Sequence, residues 1–371
     1  MNKINVGITG FTGFIGKSLI NFFYIKPEIN LILLDDEDFD NKKKIEFFVK
    51  NTDVIIHLAA INRDNNPNNL YRTNIRLVKL LINACEESNS KPKIFFSSST
   101  QENLDNPYGK SKLEGRKLFE KWARNNKCDY TTLIIPNVFG PNCKPFYNSV
   151  VSTFCFQLIN SEKPVLNNDV LLNFIYVYDL SEYLYNLIVN RKQFKNCITI
   201  KSKLYIKVSD LLLKIKSIHN SYFIENVFPD LDSNFDKNLF LTYHSYIPDS
   251  FFPKRNILNK DNRGEFSEIV RTNSVGQFSY SITKPGIVRG NHFHTRKIER
   301  FSVIEGKAVV KLRKIQSKEI KEFFLNKNDF IDISPWYTHS IENIGKDSLT
   351  TLFWINAHYD VKNPDTYMEI V

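Results

Sequence analysis

The chain has 371 residues, 42% of them hydrophobic and 24% charged, which is the composition of a globular protein with room for two ordinary domains. No apolar run approaches the roughly 20 residues that span a bilayer, and the first residues do not resemble a secretory signal, so we expect a cytoplasmic protein without a membrane segment. The net charge of +10 comes from scattered lysines and arginines, which favours an anionic cofactor and substrate over nucleic acid. The five cysteines include no C-x-x-C pair and are expected to be reduced, mostly buried thiols.

Strand and helix patterns alternate along the first part of the chain. Short apolar runs predict strands, and runs with helical periodicity separate them. The predicted strands cover residues 4–9, 31–34, 54–58, 94–97 and 131–135, and the predicted helices cover residues 15–23, 70–86 and 110–124. This alternation indicates βαβ units, and therefore an α/β domain with a doubly wound parallel sheet of the Rossmann type.

The pattern changes near residue 226. Residues 226–262 are rich in Asp, Asn, Pro and Tyr, which predicts the end of the first domain and a linking segment. Short apolar runs with turn residues every eight to twelve positions then follow, which is typical of an all-β sandwich or barrel. We therefore expect two domains, residues 1–245 and residues 246–371.

A glycine-rich loop follows the first predicted strand and precedes the first predicted helix. Gly10, Gly13 and Gly16 lie in this loop, together with Phe14 and Ile15. Glycines at such a place permit a tight turn and let backbone N–H groups approach a pyrophosphate at the helix N-terminus. The loop therefore predicts a dinucleotide site.

Three further residues predict proton transfer to a substrate oxygen. Tyr108 and Lys112 are four apart at the start of a helix and share one face. A lysine ammonium near a phenol favours the phenolate and lowers its pKa, which suits tyrosine for acid–base work. Ser99 belongs to a hydroxyl-rich run at the end of the fourth predicted strand, where open α/β sheets bind ligands. Each pattern alone is common on exposed helices and loops, but their order and placement favour a functional site.

Residues 4–245 resemble the extended short-chain dehydrogenase/reductase family. The resemblance rests on the glycine loop, the Tyr108–Lys112 pair, residues 57–60, Asn74 and residues 136–141. It implies that Tyr108 is the acid, Lys112 its electrostatic partner and Ser99 the hydroxyl that aligns a carbonyl. The residues that it places at the cofactor are Gly10, Gly13, Phe14, Ile15, Gly16, Asp35, Leu58, Ala59, Ala60, Arg63, Tyr108 and Lys112. Ile134 and Tyr178 depart from the family pattern at positions that often contact substrate.

The residues leave the choice of nicotinamide cofactor open. Asp35 and Asp36 end the second predicted strand, where an acidic side chain binds a ribose 2′-OH and repels a 2′-phosphate, which favours NADH. Lys17 and Arg63 could instead serve the 2′-phosphate of NADPH.

A set of histidines and a glutamate in the second predicted domain predicts a metal site. His292 and His294 alternate along a strand and face the same side, Glu299 follows, and His339 lies in a later strand. Three imidazoles and a carboxylate suit a divalent transition metal, and we expect zinc. The spacing resembles the two motifs of the cupins across residues 255–371, which implies a jelly-roll barrel. Asn328 and Tyr337 replace glycines that are usual in the second motif.

A competing resemblance covers the same residues. Residues 261–266, 284–286 and 289–292 look like the nucleotide-sugar 3,5-epimerases, in which the histidine that matches His292 is a base. The neighbouring His294 and Glu299 favour a metal ligand at this position. Another group would then act as the base, and Tyr337 and Lys284 are the candidates.

The domain order resembles that of bifunctional capsular-polysaccharide enzymes almost end to end. Matching segments include residues 97–99, 105–109, 144–145, 147–150, 284–286, 290–292 and 364–367. The resemblance implies C3 epimerisation of a UDP-linked 4-keto-6-deoxy sugar in the barrel, then C4 reduction with NADPH in the first domain, by a homodimer. It also implies that Asn137, Lys144 and Asn148 contact the substrate.

Two other functions remain open at this point. The barrel could be a structural or dimerisation module beside a simple 4-ketoreductase. A redox-sensing protein that binds a dinucleotide without turnover is the alternative outside the enzymes. Ser99, Tyr108 and Lys112 argue against it, because a sensor has no need of an acid.

Overall fold

The structure is a computed structural model that describes residues 3–190, 196–255, 258–261, 264–267, 271–272, 277–357 and 362–371, with the backbone alone described between 258 and 279. Its contacts form two compact units, residues 1–153 with 166–208 and residues 154–165 with 209–371. The predicted domain division after residue 245 stays a prediction about where the chain separates into independently folded parts.

The first unit is built on a parallel sheet. Its strands are β1 (Ile4–Thr9), β2 (Ile29–Leu34), β3 (Val54–His57), β4 (Lys93–Ser99), β5 (Tyr130–Ile135), β6 (Asn137–Phe139), β7 (Leu171–Tyr176), β8 (Cys197–Thr199) and β9 (Leu204–Lys207). Six of them form a sheet in the order β2-β1-β3-β4-β5-β8, and every pairing in it is parallel. The order reverses at β1, which is the point where open α/β sheets bind ligands.

Helices cover both faces of this sheet. These helices are α1 (Phe14–Tyr24), α2 (Lys42–Asn51), α3 (Pro67–Glu87), α4 (Pro107–Asn126) and α6 (Val177–Val189). Another helix, α5 (Val150–Ile159), contains residues of both units. Phe95 and Phe96 are neighbours on β4 and belong to two different buried clusters, because successive strand residues point to opposite faces. The predicted parallel α/β fold is confirmed. Among the described residues, no helix combines the length and the apolar character that a bilayer span requires.

The start of α4 sets the position of the predicted acid. The side chain of Asn106 accepts a hydrogen bond from the Gly109 N–H at 2.8 Å, and Pro107 occupies the first turn, where its missing N–H costs nothing. The helix therefore begins three residues before the predicted 110, and Tyr108 lies in its first turn.

The second unit contains two antiparallel five-stranded sheets. Its strands are β10 (Val227–Phe228), β11 (Lys254–Arg255), β12 (Leu258–Asp261), β13 (Gly264–Ser267), β14 (Arg271–Thr272), β15 (Gln277–Thr283), β16 (Val288–Phe293), β17 (Glu299–Glu305), β18 (Ala308–Lys314), β19 (Ile320–Leu325), β20 (Asp329–Ile333), β21 (Tyr337–Asn343), β22 (Leu349–Ile355) and β23 (Tyr367–Met368). The sheets have the orders β11-β20-β17-β22-β15 and β19-β18-β21-β16-β23. One buried apolar cluster joins residues of both sheets, among them Val303 and Val310. The β-sheet architecture predicted for residues 246–371 is confirmed.

The prediction that residues 226–262 form a linking segment was wrong. Residues 226–262 contain β10 and a helix, α8 (Asn234–His244), and they follow α7 (Val208–Ile218). Leu239, Phe240 and Tyr243 on α8 are fully buried, and the ring of Phe228 lies 3.8 Å from that of Trp354 on β22. The abundance of Asp, Asn and Pro around these few apolar residues hid a segment that packs on the β-sheets.

Candidate active site and candidate metal centre

The glycine loop is shaped by close backbone packing. Gly10 has a φ of +65°, and a Cβ on it would lie 2.6 Å from the backbone nitrogen of Ala59. A Cβ on Gly16 would lie 2.5 Å from the carbonyl oxygen of Gly10. Because glycine has no side chain, Gly10 can pack directly against the turn after β3, and Gly16 can pack against the loop itself, at the carboxyl edge of the sheet.

A cleft of about 650 Å³ opens at this edge. It brings together most of the predicted cofactor, catalytic and substrate residues, which are Gly10, Gly13, Phe14, Ile15, Gly16, Leu58, Ala60, Arg63, Ser99, Tyr108, Lys112, Asn137, Lys144 and Asn148. Ala59 is buried behind the lining, and Asp35 lies outside it. The positions of the lining residues fit a dinucleotide and a substrate that share one cleft.

Lys112 is held against the end of β4. Its Nζ donates a hydrogen bond to the Ser97 carbonyl oxygen at 2.9 Å and lies 5.6 Å from the centre of the Tyr108 ring. The Ser99 hydroxyl accepts a hydrogen bond from the Gln101 N–H at 3.2 Å, which leaves its own proton available for a ligand. All three predicted catalytic side chains therefore line this cleft, with the Lys112 ammonium beside the Tyr108 ring.

The expected lowering of the Tyr108 pKa does not occur in the chain by itself. Burial, followed by the neighbouring Tyr147, raises the pKa of the Tyr108 phenol above its ordinary value of 10. Burial lowers the pKa of Lys112 to about 8, against a smaller opposing effect of Glu102. Desolvation penalises the phenolate and the ammonium alike, and it is the largest cause of both pKa shifts.

The buried lysine predicts a pH-dependent contribution to stability. Between pH 8 and 10.5 the unfolded chain holds a proton on Lys112 that the folded chain has lost, so this residue makes stability rise with pH in that window. We expect the difference in free energy of unfolding, wild type minus Lys112→Met, to increase across this window. Urea unfolding on either side of it measures the difference, and a constant value would contradict the assignment.

Asn74 ties the wall of the cleft to the helix that carries Lys112. Its side chain accepts from the Ile61 N–H at 2.8 Å and donates to the Ile61 carbonyl oxygen and to the Ser111 hydroxyl, both at 3.0 Å. Ser111 donates in turn to the Tyr108 carbonyl oxygen at 2.7 Å. One buried amide therefore fixes the turn after β3 relative to α4.

Tyr147 is a cleft residue that the sequence prediction did not assign to the site. Its hydroxyl accepts a hydrogen bond from the Asn62 N–H at 3.2 Å, and its ring lies 5.7 Å from the Lys144 Nζ. It belongs to a segment already matched by resemblance, but no local pattern marks its side chain as facing Tyr108. Only the folding of residues 142–148 over the sheet edge brings it there.

The predicted metal ligands converge in the second unit. One ligand atom from each of His292, His294, Glu299 and His339 lies within 4.8 Å of the others. A bulge between Gly290 and His292 interrupts the pairing of β16 with β21, and His292 then pairs directly with His339. Gly290 has a φ of +99° at this bulge, and a Cβ there would lie 2.8 Å from the His339 carbonyl oxygen.

The protonation of two of these histidines fits a bound cation. His294 Nδ1 lies 2.5 Å from the Asp365 carbonyl oxygen, and His339 Nδ1 lies 3.2 Å from the Tyr337 carbonyl oxygen. Because a carbonyl only accepts, both Nδ1 atoms carry a proton, and in the neutral form of each ring the Nε2 atom then presents a lone pair. These lone pairs face Glu299 Oε2 at 3.2 and 2.9 Å. All three atoms are buried without a hydrogen-bond partner, which is the donor set that a metal ion satisfies.

The two candidate bases lie in different places. Tyr337 is half-buried on β21, two residues before His339 and on the same face, and burial raises the pKa of its phenol. Lys284 is exposed, and the turn that it begins is bonded to Asn343 through the Gly286 N–H. Asn343 is four residues beyond His339, roughly 14 Å along the strand at about 3.4 Å per residue. The structure therefore brings Tyr337, and not Lys284, near the cluster.

Comparison with known proteins decides the family. Residues 6–197, more than half of the chain, match the NAD dependent epimerase/dehydratase family. The chain belongs to this family. Residues 259–367 match the polysaccharide biosynthesis C-terminal domain.

Two relatives match over nearly the full length. A UDP-2-acetamido-2,6-beta-L-arabino-hexul-4-ose reductase of Pseudomonas aeruginosa is 29% identical over 98% of both chains. The crystal structure of the capsular polysaccharide assembling protein CapF from Staphylococcus aureus is 33% identical, with a TM-score of 0.66, over 99% of this chain and 100% of that one. A UDP-glucose 4-epimerase from Thermotoga maritima shares the fold of 66% of this chain, over 98% of its own length, at 21% identity and a TM-score of 0.56.

Membership of this family supports a nicotinamide dinucleotide as the cofactor, and the residues around the second strand bear on its type. The Asp35 carboxylate caps the following short helix by accepting the Asp36 N–H at 2.7 Å. Arg63 Nη1 donates to the Phe146 carbonyl oxygen at 3.2 Å, and Lys17 lines the cleft. Acidic residues that would suit the ribose 2′-OH of NADH and basic residues that would suit the 2′-phosphate of NADPH are thus both present, as the sequence indicated.

The two residues that depart from the family pattern, Ile134 and Tyr178, both pack within the first unit. Ile134 lies on β5, paired with Ser98 of β4 and Thr199 of β8. The ring of Tyr178 packs edge-on against that of Phe22 at 5.1 Å. These positions therefore support the sheet and its helices in this member of the family.

Proposed function

We propose that this chain is a bifunctional nucleotide-sugar enzyme of capsule or O-antigen synthesis. It epimerises C3 of a UDP-2-acetamido-2,6-dideoxy-4-hexulose in the second unit and reduces the C4 ketone in the first. The observation that carries the proposal is the single cleft that contains the glycine loop together with Ser99, Tyr108 and Lys112. The full-length likeness to a reductase named for such a 4-keto sugar supports the substrate.

The reduction follows from the three side chains. Ser99 donates a hydrogen bond to the ketone oxygen, and Tyr108 gives that oxygen its phenolic proton. The raised pKa of Tyr108 keeps the phenol protonated before the reaction, and the Lys112 ammonium stabilises the phenolate that results. The nicotinamide, when bound, supplies hydride to the ketone carbon. Asn137, Lys144 and Asn148 line the same cleft and are our candidates for contacts with the nucleotide sugar.

The epimerisation uses the acidity of the C–H bond next to the ketone. A base removes the C3 proton, and a proton returns to the opposite face of the sugar. His292, His294, Glu299 and His339 would hold a divalent metal, zinc by its ligand preference, which when bound supplies positive charge beside the substrate oxygen. Tyr337 is our candidate for a proton-transfer group, since it lies beside this cluster.

We also propose NADPH as the hydride donor and a homodimer as the assembly, both from the likeness to the two-domain capsular enzymes. NADH is the alternative donor, because Asp35 and Asp36 suit a free ribose 2′-OH.

A simple 4-ketoreductase with a structural second unit is the second candidate. The exposed position of Lys284 favours it, since this removes one of the two predicted bases from the cluster. The burial that keeps the Tyr337 phenol protonated also weakens that residue as a base.

Exchange of the C3 proton tests the proposal. The protein is incubated with the 4-keto UDP sugar in deuterated water without nicotinamide, and deuterium in the sugar is followed by mass spectrometry. We expect a mass gain that disappears in the His292→Ala/His294→Ala variant. No exchange, with NADPH or NADH still consumed when added, would leave the second candidate.

A further inference from the structure

The chain segment Pro364–Met368, called here the C-terminal clasp, lies along the strand that carries two of the metal-ligand histidines. Its strand β23 pairs antiparallel with β16, with Met368 opposite His292 and Tyr367 opposite Phe293. The clasp therefore borders the candidate metal centre on the side of His292 and His294.

Asp365 makes most of the contacts between the clasp and the chain that follows His294. Its carbonyl oxygen accepts from His294 Nδ1 at 2.5 Å. Its carboxylate Oδ1 accepts from the Thr295 N–H at 3.2 Å and from the Thr295 hydroxyl at 2.6 Å, and Oδ2 accepts from the Arg296 N–H at 3.0 Å. The residue is only 5% exposed and has a φ of +44°.

The two kinds of contact act on the same histidine. The carbonyl fixes the tautomer of the neutral His294 ring with its proton on Nδ1, so that the lone pair of Nε2 is directed at the cluster when a metal binds. The carboxylate holds the next two residues of the chain and therefore fixes the distance between this carbonyl and the ring. Without the carboxylate, the buried Thr295 N–H would lose its acceptor and the turn would lose its anchor.

We propose that Asp365 is a positioning residue for the metal ligand His294. Its carboxylate anchors the clasp so that its carbonyl orients the imidazole for coordination. This inference rests on the metal centre of the proposed function. Outer-shell groups of this kind contribute about 10- to 100-fold to metal affinity in other proteins.

Metal affinity, and not turnover, tests this role. Zinc binding to the metal-free protein is measured by competition with a chromophoric chelator, and the cobalt-loaded protein is examined by its visible absorption. We expect Asp365→Ala to weaken zinc binding by about 10- to 100-fold and to change the cobalt spectrum. We expect Asp365→Asn to lose less, because its remaining side-chain oxygen still accepts from Thr295.

Asp329 offers a matched control. It is equally buried, at 6% exposed, and its carboxylate also accepts a backbone hydrogen bond, from the Asn326 N–H at 3.0 Å. Asp329→Ala should lower the melting temperature of the metal-free protein without changing zinc affinity.

The outcomes distinguish a failure of the role of Asp365 from a failure of the metal centre itself. If the wild type binds no zinc, the metal centre and the clasp role both fall. If the wild type binds zinc and Asp365→Ala binds it equally well, only the clasp role falls. If Asp365→Ala does not fold, Asp365→Asn is used to test the role. A zinc affinity equal to that of the wild type, with an unchanged cobalt spectrum, would then overturn the positioning role of Asp365.

Discussion

Replacement of Tyr108 by phenylalanine is expected to lower the rate of ketone reduction by about 10²- to 10⁴-fold, the usual contribution of a positioned general acid. The variant keeps the ring that fills the cleft and loses only the proton that the ketone oxygen receives. Dinucleotide binding should therefore change little. Single-turnover reduction of the 4-keto sugar measures the rate, and quenching of protein fluorescence by the dinucleotide measures binding.

A buried phenol outside the cleft provides the control for this substitution. Tyr176 is 7% exposed on β7, and burial raises the pKa of its phenol as it does for Tyr108. Tyr176→Phe should leave the reduction rate unchanged, and Tyr108→Phe should leave deuterium exchange at C3 unchanged. Reduction at the wild-type rate by Tyr108→Phe would show that another group is the acid.

Replacement of Asp332 by alanine is expected to lower the free energy of unfolding by about 3–5 kcal/mol. Asp332 receives two hydrogen bonds from Arg300, at 2.6 Å from Nε and 2.8 Å from Nη2, and both side chains are almost completely buried. The Tyr222 hydroxyl also donates to this carboxylate, and His244 Nε2 lies 3.1 Å from the same hydroxyl. Removal of the carboxylate leaves a buried guanidinium without its counter-charge, which costs more than the pair contributes.

Urea unfolding followed by tryptophan fluorescence tests this prediction, since Trp336 and Trp354 both lie in the second unit. The double variant Arg300→Met/Asp332→Leu should lose much less stability than Asp332→Ala, because no charge is left unpaired. The exposed ion pair of Lys321 with Asp249 is the control, and Asp249→Ala should cost about 1 kcal/mol or less. A double variant as unstable as the single one would mean that packing, and not the unpaired charge, dominates.

Local chemistry was enough to predict several features. Three features could be predicted from a few residues each: the glycine loop, the Tyr108–Lys112 spacing and the alternation of His292 with His294. Each of them depends only on one turn, one helix face or one strand face. The alternation of strands and helices predicted the parallel sheet for the same reason. The order of these motifs along the chain then placed Tyr108 and Ser99 at one sheet edge, as observed.

Tertiary structure alone decided the remaining features. The helix α8 lies in a segment rich in Asp, Asn and Pro, and only the folded chain shows that its Leu239, Phe240 and Tyr243 are buried. The raised pKa of Tyr108 depends on burial in the folded chain, whereas the local Tyr108–Lys112 spacing had predicted a lowered pKa. Asp365 reaches His294 across 71 positions of sequence, and Tyr147 reaches Asn62 across 85. Such contacts exist only once the strands have paired, because nothing in the local sequence specifies which distant segment will lie beside another.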